Sequence, residues 1–262
     1  MKLSFMSFSC PESDVKEFIH TAKQYGFDGI EPRIDAGHKH GIEPGVSASF
    51  LQSVKEMAVD NGVKICCIAT SCVFANPETL DKNFTQAQQA LDIAAELDAP
   101  VIRVFGGQIP KEMSREESLD CVVEALTKLS DYAASRRVAM CVETHDDWCD
   151  PEWVAKIMQN VSNPYIAVNW DIMHPVLTAG YTMTNAFNVL KKWIKHVHIH
   201  DGIKNEKGLV LVPIGEGIID HATALKLLRE LNYDGYISGE WIGWEPYDIH
   251  LPRELAKLKS LI

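Results

Sequence analysis

Short apolar runs alternate with longer amphipathic ones along the whole chain. "LSFMSF" (residues 3–8) is followed by "DVKEFIHTAKQYG", where Val15, Phe18, Ile19 and Ala22 recur at helical spacing and Gly26 supplies a stop. "DGIEP" precedes "SASFLQSVKEMAVDNG", and "VKICCIAT" precedes "TLDKNFTQAQQALDIAAELD". "PVIRVFGG" precedes "SREESLDCVVEALTKLSDYAASR", in which Ser114 and Glu117 have the spacing of a capping box. "VAMCVE" precedes "DPEWVAKIMQNV", with Asp150 as the cap and Pro151 in the first helical position. Three further runs, "YIAVNWD", "IKHVHIH" and "GYISGEW", lead into helices expected at 184–194, at 220–231 and from Pro252.

Eight strand–helix units in a chain of 262 residues predict an α/β fold, a single (β/α)8 TIM barrel domain over 1–262. An open doubly wound sheet would call for a Gly-rich phosphate turn after the first strand, and "SFSCPESD" is nothing of the kind. In a barrel, alternate strand residues point inward, and function gathers at the carboxyl ends of the strands. If Met140 and Val142 face the helices, then Ala139, Cys141 and Glu143 face in. The same parity turns Asn169 and Asp171 inward, then His196, His198 and His200, then Ser238 and Glu240. Four consecutive strands therefore each bring an ionisable group to the mouth: Glu143, Asp171, one of the three histidines, and Glu240.

Three carboxylates converging in a low-dielectric mouth repel one another, and a divalent cation removes that penalty. Oxygen ligands plus one imidazole suit one divalent metal ion, manganese (Mn²⁺) first, with Zn²⁺, Co²⁺ and Mg²⁺ as alternatives, and leave positions open for water or substrate. Arg103 points inward on the fourth strand, where a buried guanidinium needs a carboxylate or a substrate oxygen. His145 and the loop pair His38 and His40 are candidates for lining the mouth.

Composition narrows the partners. At 46% hydrophobic and 23% charged residues the chain has the makings of a sizeable core. No apolar run approaches the roughly 18 residues of a membrane span, so no membrane partner is expected. A net charge of −11 argues against a nucleic-acid partner, whose phosphates require clustered Lys and Arg. The seven cysteines are odd in number, irregularly spaced and without a CxxC motif, which points to reduced core thiols and a cytoplasmic location. The start, "MKLSFMSFSCPESD", lacks the long apolar stretch and small-residue cleavage site of a signal peptide.

Seven stretches occur in an informative order: "YGFDGIE" (25–31), "VIRVFGG" (101–107), "CVETHD" (141–146), "DIMH" (171–174), "HVHIHD" (196–201), "PIGEGIID" (213–220) and "YISGEW" (236–241). Together they make the chain resemble the xylose isomerase-like barrels, the sugar isomerase/epimerase group that also includes endonuclease IV. The resemblance implies metal ligation by Glu143, Asp171, His198 and Glu240; a histidine three residues before an aspartate selects His198 among the three. It makes His196 a deeper barrel residue. His200 then either supports a ligand or lines the pocket, and His174 falls at a position that contacts substrate or a further metal.

The implied activity is that of a divalent-metal-dependent isomerase or epimerase acting on a small sugar or polyol, phosphorylated or not. A proton next to a carbonyl is abstracted through an enediolate, with Glu143 and Glu240 moving the proton and His174, Arg103, His145 and His200 available to the substrate. A metal-dependent dehydratase of an inosose-type polyol ketone shares the first step and is the alternative. A non-catalytic sugar-binding barrel ranks lower, because it has no need of both glutamates. An endonuclease IV-like hydrolase would need extra histidines on the third and fourth strands and an Asp-x-His before "IGEG". Those segments read "CIATS", "RVFGG" and "GLVLVP". Homodimers or homotetramers are common within the resemblance.

Overall fold

Local chemistry sets where each helix begins and ends. Helix α1 (Val15–Tyr25) starts at a reciprocal box, the Asp14 side chain accepting from Glu17 N and the Glu17 side chain from Asp14 N, and stops at Gly26 with φ of 86°. Helix α2 (Ala48–Asp60) is capped by Ser47, and α3 (Leu80–Glu96) follows a short 3-10 turn. The box expected at Ser114 and Glu117 opens α4 (Arg115–Arg136), and Asp150 with Pro151 opens α5 (Pro151–Val161). A short α6 (His174–Leu177) precedes α7 (Met183–Leu190), which is capped by Thr182 and ends before the expected residue 194. Asp220 caps α8 (His221–Glu230). The last helix, α9 (Tyr247–Leu261), begins five residues before Pro252 and carries that proline inside it.

The computed structural model describes residues 1–206 and 208–262. Its main sheet is parallel throughout, with the order β3-β2-β1-β11-β8-β7-β6-β5-β4. These strands are β1 (Lys2–Met6), β2 (Gly29–Glu31), β3 (Lys64–Ile65), β4 (Ile68–Val73), β5 (Val101–Phe105), β6 (Ala139–Glu143), β7 (Ile166–Asp171), β8 (Ile194–Ile199) and β11 (Tyr236–Gly239). The two ends of the sheet, β3 and β4, are halves of one stretch of chain interrupted at Cys66 and Cys67, so the sheet closes on itself. Cys66 N donates to Ile30 O at 2.9 Å, Ala69 N to Pro32 O at 3.0 Å and Ile34 N to Ala69 O at 3.0 Å across the seam. The result is the expected α/β TIM barrel.

Small side chains fill the barrel floor: Cys66, Cys67, Val101, Ala139, Cys141 and Ala167 form one buried cluster. The larger core lies outside, between the strands and the helices. Every cysteine is a free thiol. No helix among the described residues is long and apolar enough to cross a membrane. One element was not anticipated. Immediately after β8, an antiparallel hairpin of β9 (Asp201–Asn205) and β10 (Gly208–Val212) rises from the carboxyl end of the barrel.

Candidate active site

Glu143 closes β6, Asp171 closes β7, His198 lies near the end of β8, and Glu240 follows β11. All four are buried, and one ligand-type atom from each lies within 4.8 Å of the others. The inward parity inferred for the four strands is thus the parity of the folded barrel.

The two nitrogens of His198 face different partners. Nδ1 lies 2.5 Å from Glu143 Oε1 and 3.3 Å from Glu240 Oε2, while Nε2 donates to Glu31 Oε1 at 3.0 Å. Glu31, at the end of β2, also binds His196 Nε2 through Oε2 at 2.8 Å, which places His196 one layer deeper. Asn169 donates to Glu143 Oε1 at 3.1 Å. Arg103 is fully buried between the two glutamates, its Nε 3.3 Å from Glu143 Oε2 and its Nη2 3.9 Å from Glu240 Oε1, while Nη1 donates to Thr70 O at 2.9 Å.

Burial by itself would neutralise these groups, and their mutual pairing overrides it. Burial raises the carboxyls of Asp171 and Glu240, but His200 and His174 beside Asp171, and His198 and Arg103 beside Glu240, hold both below the usual carboxylate range. Glu31 is likewise held down, by His198 and His196. Burial would lower His198, yet Glu31, Glu143 and Glu240 keep it well above an ordinary imidazole. A proton on His198 Nδ1 therefore occupies the place that a cation in the quartet would take, with Nε2–H already fixed on Glu31 as in carboxylate–histidine–metal arrangements.

The donor set fits a divalent cation. Glu143 Oε2 and Asp171 Oδ2 are buried and accept no hydrogen bond of good geometry among the described residues. Their contacts, 3.3 Å to Arg103 Nε and 2.8 Å to His200 Nε2, meet an ion-pair distance but miss hydrogen-bond direction. Such oxygens have free lone pairs to offer. Three carboxylates and an imidazole make a hard, oxygen-rich set.

Above the quartet is a cavity of about 210 Å³ lined by His145, His174, His200, Glu240, Leu209, Leu211 and Ile242. The two leucines come from β10, so the unanticipated hairpin forms part of the mouth. His145 pairs through Nδ1 with Asp146 Oδ1 at 3.0 Å; burial would lower its pKa, and Asp146 lifts it to about 9. Its ring is 4.5 Å from that of His174. Larger cavities of about 380 and 600 Å³ lie at the amino-terminal end of the strands, and no quartet member lines either.

The loop pair divides differently. His38 bonds Ser7 Oγ at 2.8 Å, and His40 is buried between Arg33 O and Ile42 N; neither lines the mouth cavity. The residue that sequence reasoning passed over is Glu31. Its signal was present in "GIEP": with Ile30 facing the helices, Glu31 has the same inward parity as Glu143.

The sequence model of the xylose isomerase-like TIM barrel matches residues 19–259. The chain belongs to this family. Among curated relatives, an inosose dehydratase of Clostridium botulinum is 28% identical over 172 residues, 58% of this chain and 54% of its own. The chain thus spans about half the length of the curated relatives it matches. Among solved structures, a D-psicose 3-epimerase from Clostridium cellulolyticum superposes with a TM-score of 0.83 at 15% identity, covering 100% of this chain and 99% of that one. The probable 3-DHS dehydratase of Bacillus anthracis superposes at 0.81 and 20% identity, covering 99% of each. At these identities the structural likeness is one of fold.

Proposed function

We propose that this chain is a divalent-metal-dependent isomerase or epimerase of a small sugar or polyol, with or without a phosphate group. The observation that carries the reading is the pair Glu143 and Glu240, which arrive from different strands and meet at one imidazole nitrogen and one guanidinium. A divalent ion held by Glu143, Asp171, His198 and Glu240, Mn²⁺ foremost, supplies Lewis-acid polarisation of a carbonyl and its neighbouring hydroxyl.

The rest is done by side chains. A carboxylate oxygen of Glu143 or Glu240 takes the proton from the carbon next to the carbonyl, and the other glutamate returns one to the enediolate. Arg103 lies against both carboxylates and keeps them aimed. His174, His145 and His200 offer ring N–H groups to substrate hydroxyls, and Leu209, Leu211 and Ile242 limit the access of water. A second reading, dehydration of an inosose-type polyol ketone, is favoured by the inosose dehydratase relative. It begins with the same abstraction and ends in loss of a β-hydroxyl as water.

Incubating Mn²⁺-loaded protein in D₂O with a panel of ketoses and inososes tests the reading. Deuterium should enter the carbon next to the carbonyl, and Glu240→Gln should slow exchange by roughly 10²–10⁴-fold. Undiminished exchange in that variant would remove Glu240 from proton transfer. Product analysis separates the branches: an isomer in one case, an unsaturated or diketo product minus water in the other.

A further inference from the structure

Two guanidiniums stand in one row across the barrel mouth, and only one of them is paired. Arg33 follows β2 and forms an isolated parallel bridge with Ala69 of β4, which in turn pairs with Arg103 of β5. Ile30 and Ile34 belong to the core outside the barrel, so Glu31 and Arg33 turn inward, with Arg33 nearer the mouth. Arg103 is taken by Glu143 and Glu240. Arg33 is only 8% exposed, yet it forms no ion pair among the described residues. Its Nη2 donates to Ser71 Oγ at 2.5 Å and its Nη1 to Ile34 O, both neutral acceptors.

The surrounding loop does not supply the missing counter-charge. Asp35 and Glu240 act on the guanidinium only from a distance, and Glu43 has its Oε2 turned to Asp35 N at 2.9 Å. Burial and the charge of Arg33 hold His38 below an ordinary imidazole, so the ring bound to Ser7 Oγ is neutral. Burial, with the like charge of Arg103, also pulls Arg33 itself down to about 10. A buried guanidinium in this state still carries its charge at neutral pH and calls for an anion.

We propose that Arg33 sets the specificity of this mouth by receiving a carboxylate of the substrate, which makes that substrate a sugar acid or polyol acid. Two of its N–H groups are used, and the rest of the fork is free for a two-pronged grip on a carboxylate. A phosphate brings up to about two negative charges and asks for more than one cation. The cation next to Arg33 is Arg103, already shared by two glutamates. Arg33 and Arg103 are separated by the single strand β4, two strand spacings or roughly 10 Å. A short-chain acid can therefore rest its carboxylate on Arg33 and its carbonyl at the quartet. The inference rests on the proposed function for where the reacting carbonyl lies; the carboxylate site itself does not.

Calorimetric titration of the full chain with D-glucuronate, the neutral D-glucuronamide and D-glucose 6-phosphate tests it, with the galacto series run in parallel. Both Mn²⁺-loaded and metal-free protein are used, which separates binding at Arg33 from binding to the ion. Wild type should hold the uronate of at least one series about 10–100-fold more tightly than its amide or phosphate counterpart, with and without metal. Arg33→Gln should bring the ratio of uronate to amide affinity to about one. If that variant loses its circular dichroism, Arg33→Lys decides, since it keeps the charge without the fork and should lose most of the preference. Equal binding of acid and amide, a preference for the phosphate, a preference undiminished in the deciding variant, or no binding at all overturns the inference. Deuterium exchange with ketoses and inososes reads the proposed function separately. Arg33-dependent uronate binding with no exchange upholds the carboxylate site and counts against the proposed chemistry. Exchange from neutral ketoses without a uronate preference overturns the carboxylate site and leaves that chemistry standing.

Discussion

Three histidines of one strand, with one parity, have three different partners. His196 sits on Glu31, His198 lies between Glu31 and the two glutamates, and His200 faces Asp171. Alternation explains why all three point inward, but it cannot rank them. The ranking comes from depth, and depth is measured against Glu31 and Asp171 on β2 and β7. Glu31 holds Nε2–H of His198 and so frees Nδ1 for a cation. Glu31→Gln should lower Mn²⁺ affinity about 10–100-fold while leaving the fold intact, as read by calorimetric titration alongside circular dichroism. An unchanged affinity would mean that Glu31 merely fills a polar layer of the barrel.

At the scale of elements, two loops show what holds the mouth together. The Asp201 carboxylate accepts from Gly202, Gly215, Gly217 and Ile219 N at 2.8–3.3 Å, pinning the segment 213–220 beneath the β9–β10 hairpin. A Cβ at Gly217 would stand 2.1 Å from Asp201 Oδ1, so the close approach requires glycine there. Asp201→Ala strands several donors and should cost roughly 2–4 kcal/mol of stability, measured as a lower denaturant midpoint at unchanged slope. The second loop is anchored by His40, whose Nδ1 accepts from Ile42 N at 3.0 Å and whose Nε2 donates to Arg33 O at 3.1 Å. Both nitrogens are used by the neutral ring. Burial pushes its pKa down to about 4, with Arg33 O opposing and His38 adding.

For a histidine depressed in the folded state, the unfolded chain binds the extra proton first. Stability is therefore full above the unfolded pKa near 6.5 and falls between pH 6.5 and 4, by about 3 kcal/mol from this group. A proton resonance of His40 titrating near 6.5 in the folded protein would contradict this.

At the scale of the whole molecule, the barrel gathers four carboxylates, from Glu31, Glu143, Asp171 and Glu240, into a buried core whose nearest fixed cation is Arg103. In a chain of net charge −11, a bound divalent ion relieves this concentration of negative charge only in the folded state. Mn²⁺ at a hundred times its dissociation constant should raise the unfolding free energy by about 2.7 kcal/mol, and a chelator should remove the gain. Glu143→Gln should show little of this stabilisation. Equal Mn²⁺ stabilisation in wild type and variant would place the ion elsewhere.

Periodicity and parity alone determined the barrel, the caps at Ser114 and Asp150, the stop at Gly26, and the inward set of Glu143, Asp171, the histidines and Glu240. Each of these is a local property, written in the spacing of apolar residues or in the few residues around a helix end. Two further features escaped that reading. The β9–β10 hairpin carries a weak alternating pattern in a short segment, and α9 starts ahead of the proline that looked like its beginning. Tertiary structure alone decided which histidine nitrogen faces which carboxylate, that Glu31 supports His198, and that Asp171 is shared by two clusters. Those facts depend on strand stagger and barrel closure, which bring together residues that no local pattern relates.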